Sequence, residues 1–209
     1  KLNAMGLRPN TRYMVSGMAR NPATGVSSQF AVLGSTVTLA YAPALSTSTF
    51  AEILLTRLTV GWSGSENPIG TRYVADISST ADFGSAFSSS TYESGAVFSA
   101  LMTNTTYYLR GWAINRAGTP TAYFSTAAAT LANAPQAGSP SYVLGLSSIT
   151  LRWSALPASP SSVSCAGYRV EASTSPDFFG VPFINSIAGS ATSQLAMGGL
   201  DYGATYYLR

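Results

Sequence analysis

Hydrophobic and polar residues alternate with a period of two in several short stretches of the chain. Leu58, Val60 and Trp62 alternate with Arg57, Thr59 and Gly61; Ile149, Leu151 and Trp153 alternate with Thr150 and Arg152. Side chains of an extended strand point to opposite faces in turn, so each run predicts a strand with one buried face that carries its Trp. No stretch sustains the period of a helix, and Gly and Pro recur too often for long ones. Short strands separated by turn residues predict antiparallel sheets packed face to face. The stretch TTYYLRGWAIN, residues 105–115, fits less simply. Its inner register is Tyr107, Leu109, Gly111 and Ala113. Its outer register, Tyr108, Arg110, Trp112 and Ile114, is aromatic and apolar where a wet face would be polar.

The pattern repeats. LRPNTRYMVSGMARN at 7–21 aligns with LMTNTTYYLRGWAIN at 101–115 and with LDYGATYYLR at 200–209, so that Tyr13, Tyr107 and Tyr206 recur at spacings of 94 and 99 residues. TLAYAP at 38–43 returns as TLANAP at 130–135, and LTVGWS at 58–63 as ITLRWS at 149–154. YVADISSTADF at 73–83 returns as YRVEASTSPDF at 168–178, aligning Asp76 with Glu171, Asp82 with Asp177 and Phe83 with Phe178. Landmarks in one order at one period define a tandem array of similar units. The spacing divides the chain into residues 1–40, the last strands of one module; 41–132, a complete module; and 133–209, a module without its last strand. The bland account of the offset ends is a longer array, and the sharper one is strand complementation between copies.

A Trp on the second strand, then Leu7, Pro9, Thr11 and Tyr13 in a Leu-x-Pro-x-Thr-x-Tyr motif, followed by Ala19 and Asn21, resembles the fibronectin type III module. Thr103 and Tyr202 stand where the other copies would have the Pro. The resemblance implies an all-β fold of tandem immunoglobulin-like antiparallel sandwiches, with each motif Tyr forming a tyrosine corner. The loops that carry cell-adhesion contacts in that family read NPATGV at 21–26 and NRAGTP at 115–120 here, and neither contains Arg-Gly-Asp.

Composition narrows the function. Charged residues are 9% of the chain, against about 25% in ordinary soluble domains. A surface built instead from Ser, Thr, Ala and Gly suits an extracellular or cell-surface protein of bacterial type. The net charge of +3 comes from scattered residues, without the basic stripe of a nucleic-acid binder. No apolar run approaches the roughly 18–20 residues that span a bilayer. The one Cys excludes an internal disulfide, and the absence of His removes triads, Cys–His pairs and most zinc sites. No catalytic, cofactor or metal site is expected.

What remains is a surface. Tyr108, Arg110, Trp112 and Ile114 share the outer face of their strand, Arg72 and Val74 belong to the neighbouring strand, and Arg116 protrudes from the following loop. Tyr, Trp and Arg together make the composition of an interface core. Cross-strand pairs that only stabilise an exposed sheet are the competing account. The chain is read as a non-catalytic structural array, a spacer or building block of a surface layer or filament, whose partners are further copies or neighbouring modules. An adhesion or carbohydrate-binding module, or an accessory module of a large secreted enzyme, is the alternative. Asn104-Thr105-Thr106 is a formal glycosylation acceptor.

Overall fold

The computed structural model describes residues 4–64 and 66–209, without the side chains of 136–140. The chain forms two compact units, Lys1–Ala100 with Thr106–Ala129, and Leu101–Thr105 with Thr130–Arg209.

The first unit opens with an antiparallel ribbon of β1 (Arg12–Gly17) and β2 (Ala31–Val37). A sheet of three strands follows, in the order β3 (Ala44–Ile53), β4 (Leu58–Ser63), β7 (Gly95–Phe98). A sheet of four strands has the order β6 (Ala86–Thr91), β5 (Arg72–Ser78), β8 (Thr106–Ile114), β9 (Phe124–Ala129). Leu58, Val60 and Trp62 of β4 are buried, as are Tyr73, Ala75 and Ile77 of β5 and Tyr107, Leu109 and Ala113 of β8. These are the inner registers that the alternation predicts. Leu58, Ile77 and Leu109 are fully enclosed, and burial of each stabilises the fold by about 1.5–3 kcal/mol.

Gly111 sits in the inner register because Phe124, its partner on β9, lays its ring across it. A Cβ at Gly111 would lie 2.6 Å from that ring. The same Phe124 ring packs 6.1 Å from Trp62, which in turn lies 6.0 Å from Tyr73. The missing side chain of one residue thus makes room for the aromatic centre of the core.

The second unit pairs β10 (Gln136–Leu144), β11 (Ser148–Ser154) and β14 (Gln194–Gly198) in one sheet. The other has the order β13 (Phe183–Ala188), β12 (Gly167–Ser173), β15 (Tyr207–Leu208). Val170, Ala172, Leu195 and Met197 form its core, with Leu151, Trp153, Tyr206 and Leu208 packed against them.

The repeated motifs have local causes. The Tyr13 hydroxyl accepts the backbone N–H of Arg8, and that of Tyr206 accepts the N–H of Asp201, each five residues upstream. These are tyrosine corners. The turn before each motif Tyr passes through the left-handed region at Asn10 (φ 45°), Asn104 (φ 44°) and Gly203 (φ 72°). Asn and Gly tolerate that conformation best, which explains why those two residue types alternate at one repeat position. Thr38 and Thr130 open the TLAxAP landmarks because each hydroxyl staples the same turn. Thr38 accepts from the Thr11 N–H and donates to the Arg8 carbonyl; Thr130 accepts from the Thr105 N–H and donates to the Met102 carbonyl. Neither landmark is a bare linker.

Candidate interaction surface

The register of β5 on β8 sets the outer face: Arg72 lies opposite Ile114, Val74 opposite Trp112, and Asp76 opposite Arg110. Asp76 belongs to this outer face yet is only 4% exposed. Arg110 covers it with a two-pronged contact, Nε at 3.0 Å and a terminal nitrogen at 2.8 Å from the same carboxylate oxygen. The Ser88 hydroxyl on β6 donates to the other oxygen at 2.5 Å. Paired and hydrogen-bonded in this way, the carboxylate tolerates burial.

Above the guanidinium lies an aromatic cover. The Arg110 Cζ is 4.3 Å from the centre of the Phe83 ring, 5.7 Å from Trp112 and 6.0 Å from Tyr123. These separations fall within the range of cation–π attraction. Phe83 reaches this position from a backbone φ of 57°, unusual for a bulky side chain. The loop holds it there: Asp82 accepts from the Thr80 hydroxyl at 2.6 Å and from the Gly84 N–H at 3.0 Å. Those bonds, the hydroxyl first, hold the Asp82 carboxyl below its ordinary range. Within the outer register Trp112 therefore has an internal partner, as one of three rings around the Arg110–Asp76 ion pair.

The second unit builds the same device. Arg209 contacts Glu171 through Nε at 2.9 Å and a terminal nitrogen at 2.7 Å, and its Cζ lies 4.2 Å over Phe178. Phe178 has a φ of 56°, and Asp177 ties its loop to the Ser175 hydroxyl and the Phe179 N–H. Arg169 adds a second ion pair to Glu171. The Arg209 hydrogen bond is the main cause that lowers the Glu171 carboxyl below its usual range, while the Ser175 hydroxyl does the same for Asp177.

By register six of the seven expected surface residues share one outer face of β5 and β8, with Arg116 in the loop that follows, and those that line clefts contribute to different ones along it. Arg72, Ile114 and Arg116 line a cleft of about 300 Å³ with Asn10, Tyr92 and Asn115. Tyr108 and Arg110 line another of about 420 Å³ with Asp82, Phe83 and Tyr123. Val74 and Trp112 face each other across the strand pair and line neither cleft. Sequence reasoning missed Phe83, Tyr92, Tyr123 and Asn10 as members. Phe83 was visible as a repeated residue, but nothing in a period-two pattern places a loop residue over a strand.

A third feature is the seam between the ribbon and the sandwich of the first unit. Asn10 is 1% exposed; its Nδ2 donates to the Thr71 hydroxyl at 2.8 Å and its Oδ1 accepts the Arg116 N–H at 2.7 Å. Asn115 Nδ2 donates to the Thr38 carbonyl at 3.1 Å, while Oδ1 of the same residue caps its own loop by accepting from Ala117 and Thr119. Asn67 clasps the backbone of Tyr41 on both sides, accepting its N–H and donating to its carbonyl. In the second unit Asn104 Nδ2 donates to the Ser161 carbonyl at 2.9 Å and Thr103 donates to the Ser162 carbonyl. The amide nitrogen that a glycan on Asn104 would occupy is thus engaged.

Among the described residues no group of three or more His, Cys, Asp or Glu converges as a metal site would, and no helix is long and apolar enough to cross a membrane. Cys165 is a free, half-buried thiol.

Three strands facing four, with the Trp on β4, place residues 44–129 in the class of immunoglobulin-like sandwiches. Within that class the modules are fibronectin type III-like. No family model matches the chain, and no curated protein matches it. Among solved structures it is similar to a two-domain fibronectin type III segment of chicken tenascin, at 16% identity over 80% of this chain and 89% of that one, with a TM-score of 0.39. It is similar to the FN1–FN3 domains of chicken CNTN1, at 16% identity over 96% of this chain and 71% of that one, with a TM-score of 0.44. It also resembles domains d3–d4 of the rat CD45 extracellular region, at 19% identity over 61% of this chain and 69% of that one, with a TM-score of 0.37.

Proposed function

We propose that this chain is a non-catalytic structural array, a stiff spacer or building block of a surface layer or filament in an extracellular, bacterial-type protein. The observation that carries the reading is the seam at Asn10. A flexible string of domains needs only a polar linker, whereas here a fully buried amide and the Asn115 side chain tie the ribbon to the sandwich. A buried amide left without partners is costly, so the bonds favour one arrangement over its neighbours. By the sequence repeat, the β1–β2 ribbon is the counterpart of β8–β9, so the seam is a junction between modules. Its partners in an assembly are neighbouring modules or further copies of the chain.

The test is a distance measurement. In a Cys165→Ser background, spin labels at Ser16→Cys on the ribbon and Ser90→Cys on the sandwich give a narrow distance distribution if the junction is stiff. Asn10→Ala broadens it. A broad distribution in the parent protein removes the spacer reading. Light scattering of the wild type beside Trp112→Ala tests the building-block form: large assemblies that the substitution dissolves support it, and a monomer in both cases removes it.

A further inference from the structure

The cleft at the first unit's seam has a chemistry that the spacer role does not use. Arg72 is the first residue of β5 and pairs with Ile114, the last residue of β8. Arg116 follows two residues later, its backbone fixed by the bond to Asn10. Both arginines are exposed, and neither guanidinium has a hydrogen-bond or ion-pair partner among the described residues. No carboxylate lines the cleft they share. Glu93, the sequence neighbour of Tyr92, lines a different one. Arg57, Arg110, Arg169 and Arg209 have carboxylate partners, and of the arginines that have none among the described residues only Arg72 and Arg116 line this cleft. The third wall is Tyr92, 66% exposed. Asn10 also lines the cleft, its Nδ2 engaged with Thr71 and its Oδ1 with the Arg116 N–H.

Two uncompensated planar donors in one concave site favour a carboxylate, which a guanidinium can grip with paired N–H groups. At about 300 Å³ the cleft stands at the small end of ligand pockets, enough for one ring rather than a length of peptide. An exposed aromatic ring beside the cations supplies a flat apolar face for the C–H side of a pyranose. We propose that this cleft binds an acidic sugar, with Arg72 and Arg116 on its carboxylate and Tyr92 against its ring.

The test uses the whole isotope-labelled chain, titrated in parallel with glucuronate, glucose and acetate and followed by amide chemical shifts. Glucuronate is expected to move the Arg72, Tyr92 and Arg116 amides to saturation, with glucose and acetate at least about tenfold weaker. Arg72→Gln and Arg116→Gln should each weaken glucuronate by about tenfold while leaving distant amides in place. Both positions are exposed, so the fold tolerates the changes. Glucose binding as well as glucuronate overturns the role of charge, and acetate binding as well overturns the role of the ring. Absence of any saturable shift, or unchanged binding by both Gln variants, overturns the site.

Discussion

Arg110 and Phe83 hold each other in place: the guanidinium that neutralises buried Asp76 lies 4.3 Å beneath a phenyl ring whose own backbone is left-handed. Neither arrangement is favourable alone. A bulky residue at positive φ costs about 1–3 kcal/mol, and an unpaired buried carboxylate costs more. The contact offsets the first cost, and the ion pair removes the second.

Arg110→Met is therefore expected to destabilise the first unit by about 3 kcal/mol, since it strands Asp76 with only Ser88 as a partner. Adding Asp76→Asn to that variant should recover a large part of the loss. Urea unfolding of the two variants decides the matter, and equal stability of single and double variants would contradict the internal ion pair.

Acid should weaken both units. Glu171 in the fold titrates below its ordinary 4.5, and Asp82 and Asp177 below 3.8. A depressed carboxyl contributes stability above its unfolded value and loses it as pH falls through the folded one. Stability should be level from neutrality to about pH 5 and decline through pH 4 and below. Glu171→Gln should flatten part of that decline. Melting temperature against pH, variant beside wild type, provides the check.

At Asn10 two properties can be separated. Asn10→Gly keeps the left-handed turn but loses the bonds to Thr71 and Arg116, while Asn10→Ala loses both turn and bonds. The expected order of stability is wild type, then Gly, then Ala, with the first step about 1–2 kcal/mol. Amide exchange on β1 and β2 should report it, and an Ala variant more protected than Gly would argue against the assigned strain.

Gly111→Ala should be costly despite its small size. The added Cβ meets the Phe124 ring at 2.6 Å, and overpacking of this kind typically costs about 1–3 kcal/mol. Phe124→Leu in the same chain should relieve part of the loss, as thermal unfolding of the single and double variants would show.

The strands were legible in the sequence because one chemical rule, burial of alternate residues, governs them. Leu58, Val60, Trp62 and Leu109 follow it directly. The clamp was not legible, because Asp76 lies on the outer register and is nonetheless buried, against that rule. Its signal was present in another form. The two copies that have Asp76 or Glu171 and Phe83 or Phe178 also have Arg110 or Arg209 three residues after the motif Tyr. The seam was hidden for a different reason: Asn10 and Asn115 look like ordinary turn residues, and their reach across the ribbon depends on folded geometry.

The seam has a bearing on how such an array diversifies. Two of its links end on main-chain groups, the Arg116 N–H, which every residue other than Pro offers, and the Thr38 carbonyl, which every residue offers. A neighbouring module could exchange nearly all its surface side chains and still meet the same amide at the same spacing. Selection could then act on most of each module's exterior independently, and units could be duplicated or reordered as long as each kept the two asparagines and the threonine of the joint.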